Sequence, residues 1–166
     1  DGFHVNADGE FVPRHGLNLG LSLAVGDFDG DGLCDAAAGT INYNLDGRGN
    51  DGLVQIFQGV AANDDPEYPD PGGLAFEPVK YIVMGSDGGQ GTGLGRRLAA
   101  GDFNHDGRAD LVIAEDGYDG SNRNTGRVSI IAGATFDGPA DSYTSLDDAD
   151  WVVDGNSRDD YLGSSV

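Results

Sequence analysis

The sequence is poor in cysteine, in basic residues and in long apolar runs. Cys34 is its single cysteine, which excludes an internal disulfide framework and a four-cysteine zinc site. No apolar run approaches the ~20 residues that span a bilayer. No basic and apolar leader follows Asp1, so we expect that any export signal has been removed or lies outside these residues. The 9 Lys and Arg against 29 Asp and Glu give a net charge of −20, which disfavours nucleic acid and anionic membranes and favours metal ions.

Glycine, by contrast, is abundant. It supplies 29 of the 166 residues, over twice its usual share of roughly 7%, which predicts many tight turns and few long helices. The hydrophobic content of 38% is too high for a disordered acidic tail, and the apolar residues fall in short β-branched runs. Length and composition together predict one β-rich domain or part of one.

The apolar runs recur in two units. Residues 19–28 and 94–103 both begin with Leu-Gly and end with Gly-Asp-Phe, and Asp27 and Asp102 stand 75 positions apart (102 − 27). Residues 53–59 align with 127–133, and residues 81–85 align with 151–155 at a spacing of 70. A third Leu-Gly at residues 162–163 begins another unit. The distance between matching residues falls from 75 to 70 along the units, so the two units differ in the lengths of their loops.

Each unit contains four short strand candidates, bounded by Gly, Asp, Asn or Pro. They lie at about 21–27, 34–41, 53–58 and 79–84 in the first unit, and at about 96–102, 109–115, 127–132 and 150–154 in the second. Four strands at a fixed period predict an all-β fold of β-propeller blades, with four antiparallel strands in each blade. The long period requires large loops, which we place at residues 60–78 and at residues 134–149, the latter with room for one helical turn. Two tandem β-sandwich modules are the alternative.

The predicted organisation follows from these units. Residues 1–18 are assigned to the end of a preceding blade or a linker, residues 19–85 to the first blade, residues 94–155 to the second, and residues 161–166 to the start of a third. Two blades do not close a ring, and their outer strands would present open edges. We therefore expect a fragment of a larger propeller or a piece completed by other chains, one that on its own would fold poorly or self-associate.

An aspartate-rich loop follows the first strand of each unit. Carboxylates at positions 1, 3 and 5 of a curled loop converge on one point, a glycine at position 6 permits the sharp turn, and position 7 offers its carbonyl oxygen. All-oxygen coordination suits Ca²⁺ better than Mg²⁺ or Zn²⁺. The sequence therefore predicts two calcium sites in loops 27–35 and 102–110. The candidate ligands are Asp27, Asp29, Asp31, Leu33 and Asp35 in the first loop, and Asp102, Asn104, Asp106, Arg108 and Asp110 in the second.

Two other interpretations of these loops fit the sequence less well. A solvated acidic turn would also be rich in Asp and Gly, but two copies in register between strands favour a metal loop, since empty clustered carboxylates repel one another. An EF-hand is excluded because Ala38 and Ile113 stand at position 12, where that motif needs a bidentate Glu.

These motifs resemble the FG-GAP repeat of integrin α-type propellers and of bacterial secreted calcium-binding proteins. The resemblance rests on the Leu-Gly pair, the Gly-Asp-Phe-Asp-Gly-Asp-Gly-x-x-Asp loop, the Ala-Ala-Gly that follows it and the Val-x-Ile-Phe strand. It implies a propeller, commonly seven-bladed, with calcium held between the first and second strands of a blade by the ligands named above. The positions that give the family its name depart from the pattern, with Leu19-Gly20 and Leu94-Gly95 at the first and Ala38-Gly39-Thr40 and Ala114-Glu115-Asp116 at the second.

Three functional classes follow. The first is a non-catalytic, calcium-stabilised extracellular or cell-surface module for adhesion or for recognition of a protein or glycan, with a periplasmic location as the alternative. The second is an accessory propeller of a secreted hydrolase or lyase whose catalytic domain lies outside these residues. The third is a structural subunit of a surface assembly or filament. No catalytic constellation is recognisable, so we predict that the chain itself is not an enzyme.

Three further residue groups carry weaker predictions. Cys34 occupies the position of Ala109 in the other unit, so we expect a small buried strand residue. Trp151 is expected to pack between blades. Segments 46–51 and 116–124, each between the second and third strands of its unit, are candidates for a second type of ion site, although solvated loop charges are the simpler interpretation.

Overall fold

The fold was analysed in a computed structural model. It describes residues 2–5, 11–14, 19–41, 52–61, 74–76, 81–84, 92–138 and 142–166. The strands, in chain order, are β1 (Gly2–Val5), β2 (Phe11–Arg14), β3 (Leu23–Gly26), β4 (Asp35–Thr40), β5 (Leu53–Phe57), β6 (Gly59–Ala61), β7 (Leu74–Phe76), β8 (Tyr81–Met84), β9 (Arg97–Gly101), β10 (Asp110–Glu115), β11 (Arg127–Ile131), β12 (Ser142–Ser145) and β13 (Trp151–Asp154). Two short 3-10 turns, Gly133–Asp137 and Leu146–Asp148, complete the described elements, none of which is an α-helix.

The predicted all-β fold of four-stranded antiparallel blades is confirmed. Strands β3, β4, β5 and β8 form the first blade in that order, and β9, β10, β11 and β13 form the second. All eight correspond to the predicted strands within two residues at each end. The fold is thus that of a β-propeller fragment, in which the four strands of each blade lie side by side in chain order.

Two features of the sheets differ from the prediction. The first blade carries a fifth strand, because β12, from the connection between β11 and β13, pairs in parallel with β8. The segment predicted as a long loop at residues 60–78 contains part of a hairpin formed by β6 and β7. The rest of this segment, residues 62–73 and 77–78, lies outside the described residues. A further hairpin joins β1 and β2.

The two blades pack face to face. Leu98 on β9 pairs with Ile113 on β10, so their side chains share one face of the second blade. Both are buried against Ala24 and Ala37, on the facing side of the first blade, in one apolar cluster. Because strand side chains alternate between faces, the neighbours Leu23 and Val25 point away from this core and are 65% and 61% exposed. Burial of one apolar face thus holds the blades together.

Backbone contacts reinforce this packing at glycines. A Cβ at Gly39 would overlap the carbonyl oxygen of Gly95, and the Ser22 hydroxyl donates to that same oxygen at 2.7 Å. Leu162 and Gly163 lie against the second blade in a similar way, through a bridge between Leu162 and Gly126. The Leu-Gly pair that begins a unit is therefore a contact of that unit with the blade before it. The domain boundaries themselves stay predictions.

Two burial predictions are wrong. Cys34 is exposed, because it lies in the loop immediately before β4 rather than within the strand. Trp151 is 56% exposed, because β13 is the outer strand of its blade and none of the described residues covers that edge. In the described part of the chain, no helix is long and apolar enough to cross a membrane.

Candidate metal centre

The two aspartate loops lie side by side at one end of the blades. Each connects the first strand of its blade to the second, β3 to β4 and β9 to β10. The backbone N–H of Ala109 in the second loop donates to the carbonyl oxygen of Asp27 in the first, at 2.8 Å. The loops are therefore in direct contact through their backbones.

The first loop gathers three of its predicted carboxylates. One oxygen each from Asp27, Asp29 and Asp35 lies within 4.8 Å of the other two, which is close enough to share one cation. Among the described residues this is the one such group of three or more acidic, histidine or cysteine side chains. Gly30 and Gly32 have φ of 76° and 89° and donate their N–H groups to the two oxygens of Asp27, at 2.7 and 2.9 Å. Left-handed glycines thus curl the loop around its first aspartate.

Asp35 closes the loop from the buried side. It is 2% exposed and accepts the N–H groups of Phe28 and Gly59, both at 2.8 Å. Burial raises the pKa of Asp35 above its usual range, and these two N–H groups oppose that shift. A nearby cation would stabilise the ionised form, so the burial of this carboxylate suits a charged guest.

The remaining predicted ligands of the first loop are placed differently. Asp31 lies outside the group of three and accepts the N–H of Leu33 at 2.7 Å. Leu33 is half-buried and contributes no side-chain donor. Asp31 therefore shapes the turn, and the roles of Asp31 and of the Leu33 carbonyl oxygen as ligands stay predictions.

The second loop repeats this framework. Asp102 accepts the N–H groups of Asp106 and Gly107, both at 3.1 Å. Asp110 is buried and accepts the N–H groups of Phe103 and Gly133, at 2.9 and 3.0 Å, as Asp35 does in the first loop. The ninth-position aspartate thus binds each loop to the segment just after the third strand of its blade, which explains why this residue closes both motifs.

Asn104 distinguishes the second loop from the first. Its side-chain nitrogen donates to Asp106 at 2.9 Å and to Asp110 at 3.5 Å, so the amide links the acids that a cation would otherwise join. Rotating the amide by half a turn would direct its oxygen toward them instead. The predicted side chains Asn104, Asp106 and Asp110 are therefore brought together; for the Arg108 carbonyl, only its place in the loop is fixed.

The donor set in both loops fits a hard cation. All side-chain donors are carboxylate or amide oxygens, and His105, which zinc would favour, is exposed at a left-handed position of the turn. When bound, such a cation would neutralise the clustered carboxylates and crosslink the loop. The residues named above would hold it.

Two side chains near the first loop were not found from the sequence. Gln58 donates to Asp29 at 2.6 Å, and the guanidinium of Arg108 reaches across from the second loop to Gly30. Gln58 has Ala132 as its counterpart in the other unit, so the repeat gives no signal for it. The loop motif gives a role only to the carbonyl oxygen of Arg108, and the packing of the blades decides where its side chain lies.

The opposite end of the second blade contains a separate charged network. Arg127 donates to both oxygens of Asp154, at 2.7 and 3.1 Å, and its guanidinium stacks 3.8 Å from the ring centre of Tyr118. Beside it, Glu115 is fully buried and burial raises its pKa to about 7, which the Thr92 side chain and then the charge of Arg127 oppose. No sequence motif had indicated this cluster.

The structure does not support a further ion site in the part of segments 46–51 and 116–124 that it describes. Segment 46–51 lies outside the described residues. In segment 116–124, Asp119 accepts the N–H of Asn124 at 2.7 Å, and the described part of this segment holds no group of three metal-binding side chains. Asp119 therefore stabilises a turn, and Asp116 forms an ion pair with Arg96 at 3.3 Å.

Comparison with known proteins agrees with this geometry. Residues 94–131, which comprise β9, the second aspartate loop, β10 and β11, match the FG-GAP repeat. This match supports the resemblance of the second blade to the FG-GAP repeat. The chain is also similar to the phosphatidylinositol-glycan-specific phospholipase D of Rattus norvegicus, with 31% identity over 148 residues. That similarity covers 89% of this chain and 16% of the relative, so the chain spans about a sixth of that protein's length.

Proposed function

We propose that the chain is a non-catalytic, calcium-stabilised β-propeller module that acts outside the cytosol, in adhesion or in recognition of a protein or glycan. The observation that carries this proposal is the convergence of Asp27, Asp29 and Asp35 in the first loop. The matching framework of the second loop and the FG-GAP match of residues 94–131 support it. Extracellular calcium modules bind at ~10⁻⁴–10⁻³ M, so such loops would fill outside the cell and stay empty in the cytosol.

Calcium in this proposal acts as a structural crosslink. Each loop brings like charges together in a glycine-rich segment, and a bound cation would turn their repulsion into attraction. With calcium at about one hundred times its dissociation constant, each site would add about 2.7 kcal/mol to the free energy of unfolding. This amounts to roughly 5–10 °C in melting temperature per site.

The test is thermal unfolding with calcium and with a chelator, together with calorimetric titration of calcium. We expect the melting temperature to rise with calcium, and Asp29→Asn to remove about half of the rise. Asp148→Asn is the matched control, since Asp148 is an exposed acid outside both loops. Identical melting curves in calcium and in chelator would contradict the proposal.

A second candidate is an accessory propeller of a secreted hydrolase. The similarity to a phospholipase D favours it, because the similar region spans 16% of that protein and the similarity leaves room for a catalytic domain elsewhere. The sequence of the complete polypeptide would decide between the two. A hydrolase domain in the same polypeptide favours the accessory role, and its absence favours an independent adhesion module.

We propose neighbouring blades as the nearest partners. Leu23 and Val25 are exposed on the face of the first blade that points away from the second, whereas their counterparts Leu98 and Ala100 pack against the first blade. A preceding blade, in the same polypeptide or in another chain, would bury this row in the same way. Sedimentation at rising concentration tests it: we expect the isolated chain to associate and Leu23→Glu to reduce that association. A monomer at all concentrations would contradict association through this face, whereas a structural subunit of an assembly would show open-ended growth.

A further inference from the structure

The side chain of Arg108 lies between the two aspartate loops. It belongs to the second loop, but a Cβ added at Gly30 of the first loop would lie 3.0 Å from its Nε atom. Its guanidinium forms an ion pair with Asp137, in the 3-10 turn after β11. The charges of Asp137, Asp106 and Asp29 all act on it. One cationic group is therefore shared by both loops and by a neighbouring turn.

The position of this side chain is fixed by its surroundings. The next residue, Ala109, donates its N–H to the Asp27 carbonyl oxygen at 2.8 Å. Gly133, which begins the same 3-10 turn as Asp137, donates to Asp110 at 3.0 Å. The backbone immediately after Arg108 is thus bound both to the first loop and to its own blade, and the ion pair with Asp137 holds the guanidinium beside Gly30.

The first loop has no charged residue at the position of Arg108. Leu33 takes the same position there and brings no charge to any neighbouring loop. The two loops, otherwise built alike, therefore differ in their electrostatics. A fixed positive charge beside Asp29 repels an arriving divalent cation and offsets part of the carboxylate charge that would attract it.

We propose that Arg108 is a positioning residue that lowers the calcium affinity of the first loop. This inference rests on the proposed calcium binding. Removing the charge by Arg108→Gln raises the calcium affinity of the first loop by about two- to fivefold at moderate ionic strength, the range given by one charge acting on a divalent ion at short, partly screened distance. Arg108→Lys keeps the charge and restores most of the low affinity.

The experiment is calorimetric titration of calcium in a background that reports on the first loop alone. Asp102→Asn weakens the second loop and provides that background. In it we compare Arg108→Gln and Arg108→Lys with Arg158→Gln. Arg158 is exposed, pairs with Asp159 at 3.5 Å and lies outside both loops, so its substitution removes the same net charge at another place. Melting in chelator establishes that each variant is folded.

The outcomes separate the two proposals. Tighter binding in Arg108→Gln than in Arg158→Gln, reversed by lysine, supports the role of Arg108. Equal affinities in the two glutamine variants, or weaker binding in Arg108→Gln, overturn it while calcium binding stands. The absence of any binding heat in the unaltered chain overturns the proposed function, and this inference with it.

Discussion

The ring of Phe28 lies edge-on to the ring of Phe136, with their centres 5.7 Å apart and their planes at 69°. Phe28 belongs to the first aspartate loop and Phe136 to the turn after β11 in the second unit, so this contact crosses from blade to blade. Phe28 is 1% exposed, whereas its counterpart Phe103 is 57% exposed. The same motif residue thus has opposite burial in the two units, because among the described residues only the first unit has a following blade that covers it.

This contrast gives a matched pair of substitutions. We expect Phe28→Ala to lower the free energy of unfolding by about 3–4 kcal/mol, since it removes a buried ring and leaves a cavity. Phe103→Ala should change it by less than about 1 kcal/mol, since that ring is largely in solvent. Chemical denaturation of both variants checks this, and similar losses in the two would contradict the assignment of the blade interface.

The close approach of Gly39 to Gly95 predicts a second contrast. Gly39→Ala would push a methyl group into the carbonyl oxygen of Gly95, and backbone cannot move aside cheaply, so we expect a loss of at least about 2 kcal/mol. Gly101→Ala is the control. Its Cβ would lie 3.3 Å from the exposed Phe103 ring, which can turn away, so the change should be near neutral. Thermal melting of the two variants distinguishes them, and a tolerated alanine at Gly39 would show that the blades are farther apart.

Glu115 predicts a pH dependence of stability. Burial raises its folded pKa to about 7 from 4.5, so the folded state binds the proton more tightly than the unfolded state does. The contribution of protonated Glu115 to the free energy of unfolding is therefore fully present below pH 4.5 and is lost as the pH rises through 7. A difference of this size amounts to about 3 kcal/mol. Stability is lost because the carboxyl group must then ionise in a buried position, where Thr92 and Arg127 offset only part of the cost of desolvation.

Glu115→Gln should remove that dependence. We expect the variant to be more stable than the unaltered chain at pH 8 and to lose this advantage by pH 5, measured by urea denaturation at both values. Asp148→Asn, at an exposed acid, is the control variant. A constant gap between Glu115→Gln and the unaltered chain across this range would show that Glu115 titrates normally.

Trp151 offers a direct optical readout of the outer strand. It is the single tryptophan of the chain and is 56% exposed on β13. We expect the emission of the monomer to lie close to that of the denatured chain and to be readily quenched by acrylamide, a neutral quencher that the high negative charge does not repel. A blue-shifted, protected emission in the dilute monomer would mean that another segment covers this strand.

The strands and the loop motif could be predicted locally. Short apolar runs between turn residues predicted β9, β10 and β11 within two residues, since such runs bounded by Gly, Asp or Asn are typical of strands. The spacing of Asp27, Asp29 and Asp35 implied their convergence, because a curled backbone brings these positions to one side. The parallel strand β12 could not be foreseen, since its pairing with β8 depends on how the connection of one blade crosses to another.

By itself the sequence determined what recurs: two four-stranded units, each beginning with a Leu-Gly pair and containing a carboxylate loop that ends in an aspartate. Only the tertiary structure decided what differs between equal positions: a buried Phe28 against an exposed Phe103, and an Arg108 that reaches the neighbouring loop where Leu33 does not. The propensity to form a strand or a turn depends on nearby residues, so it recurs wherever the same local sequence recurs. Burial and electrostatic environment depend on which blade lies alongside, and the repeat is the same whichever side is covered.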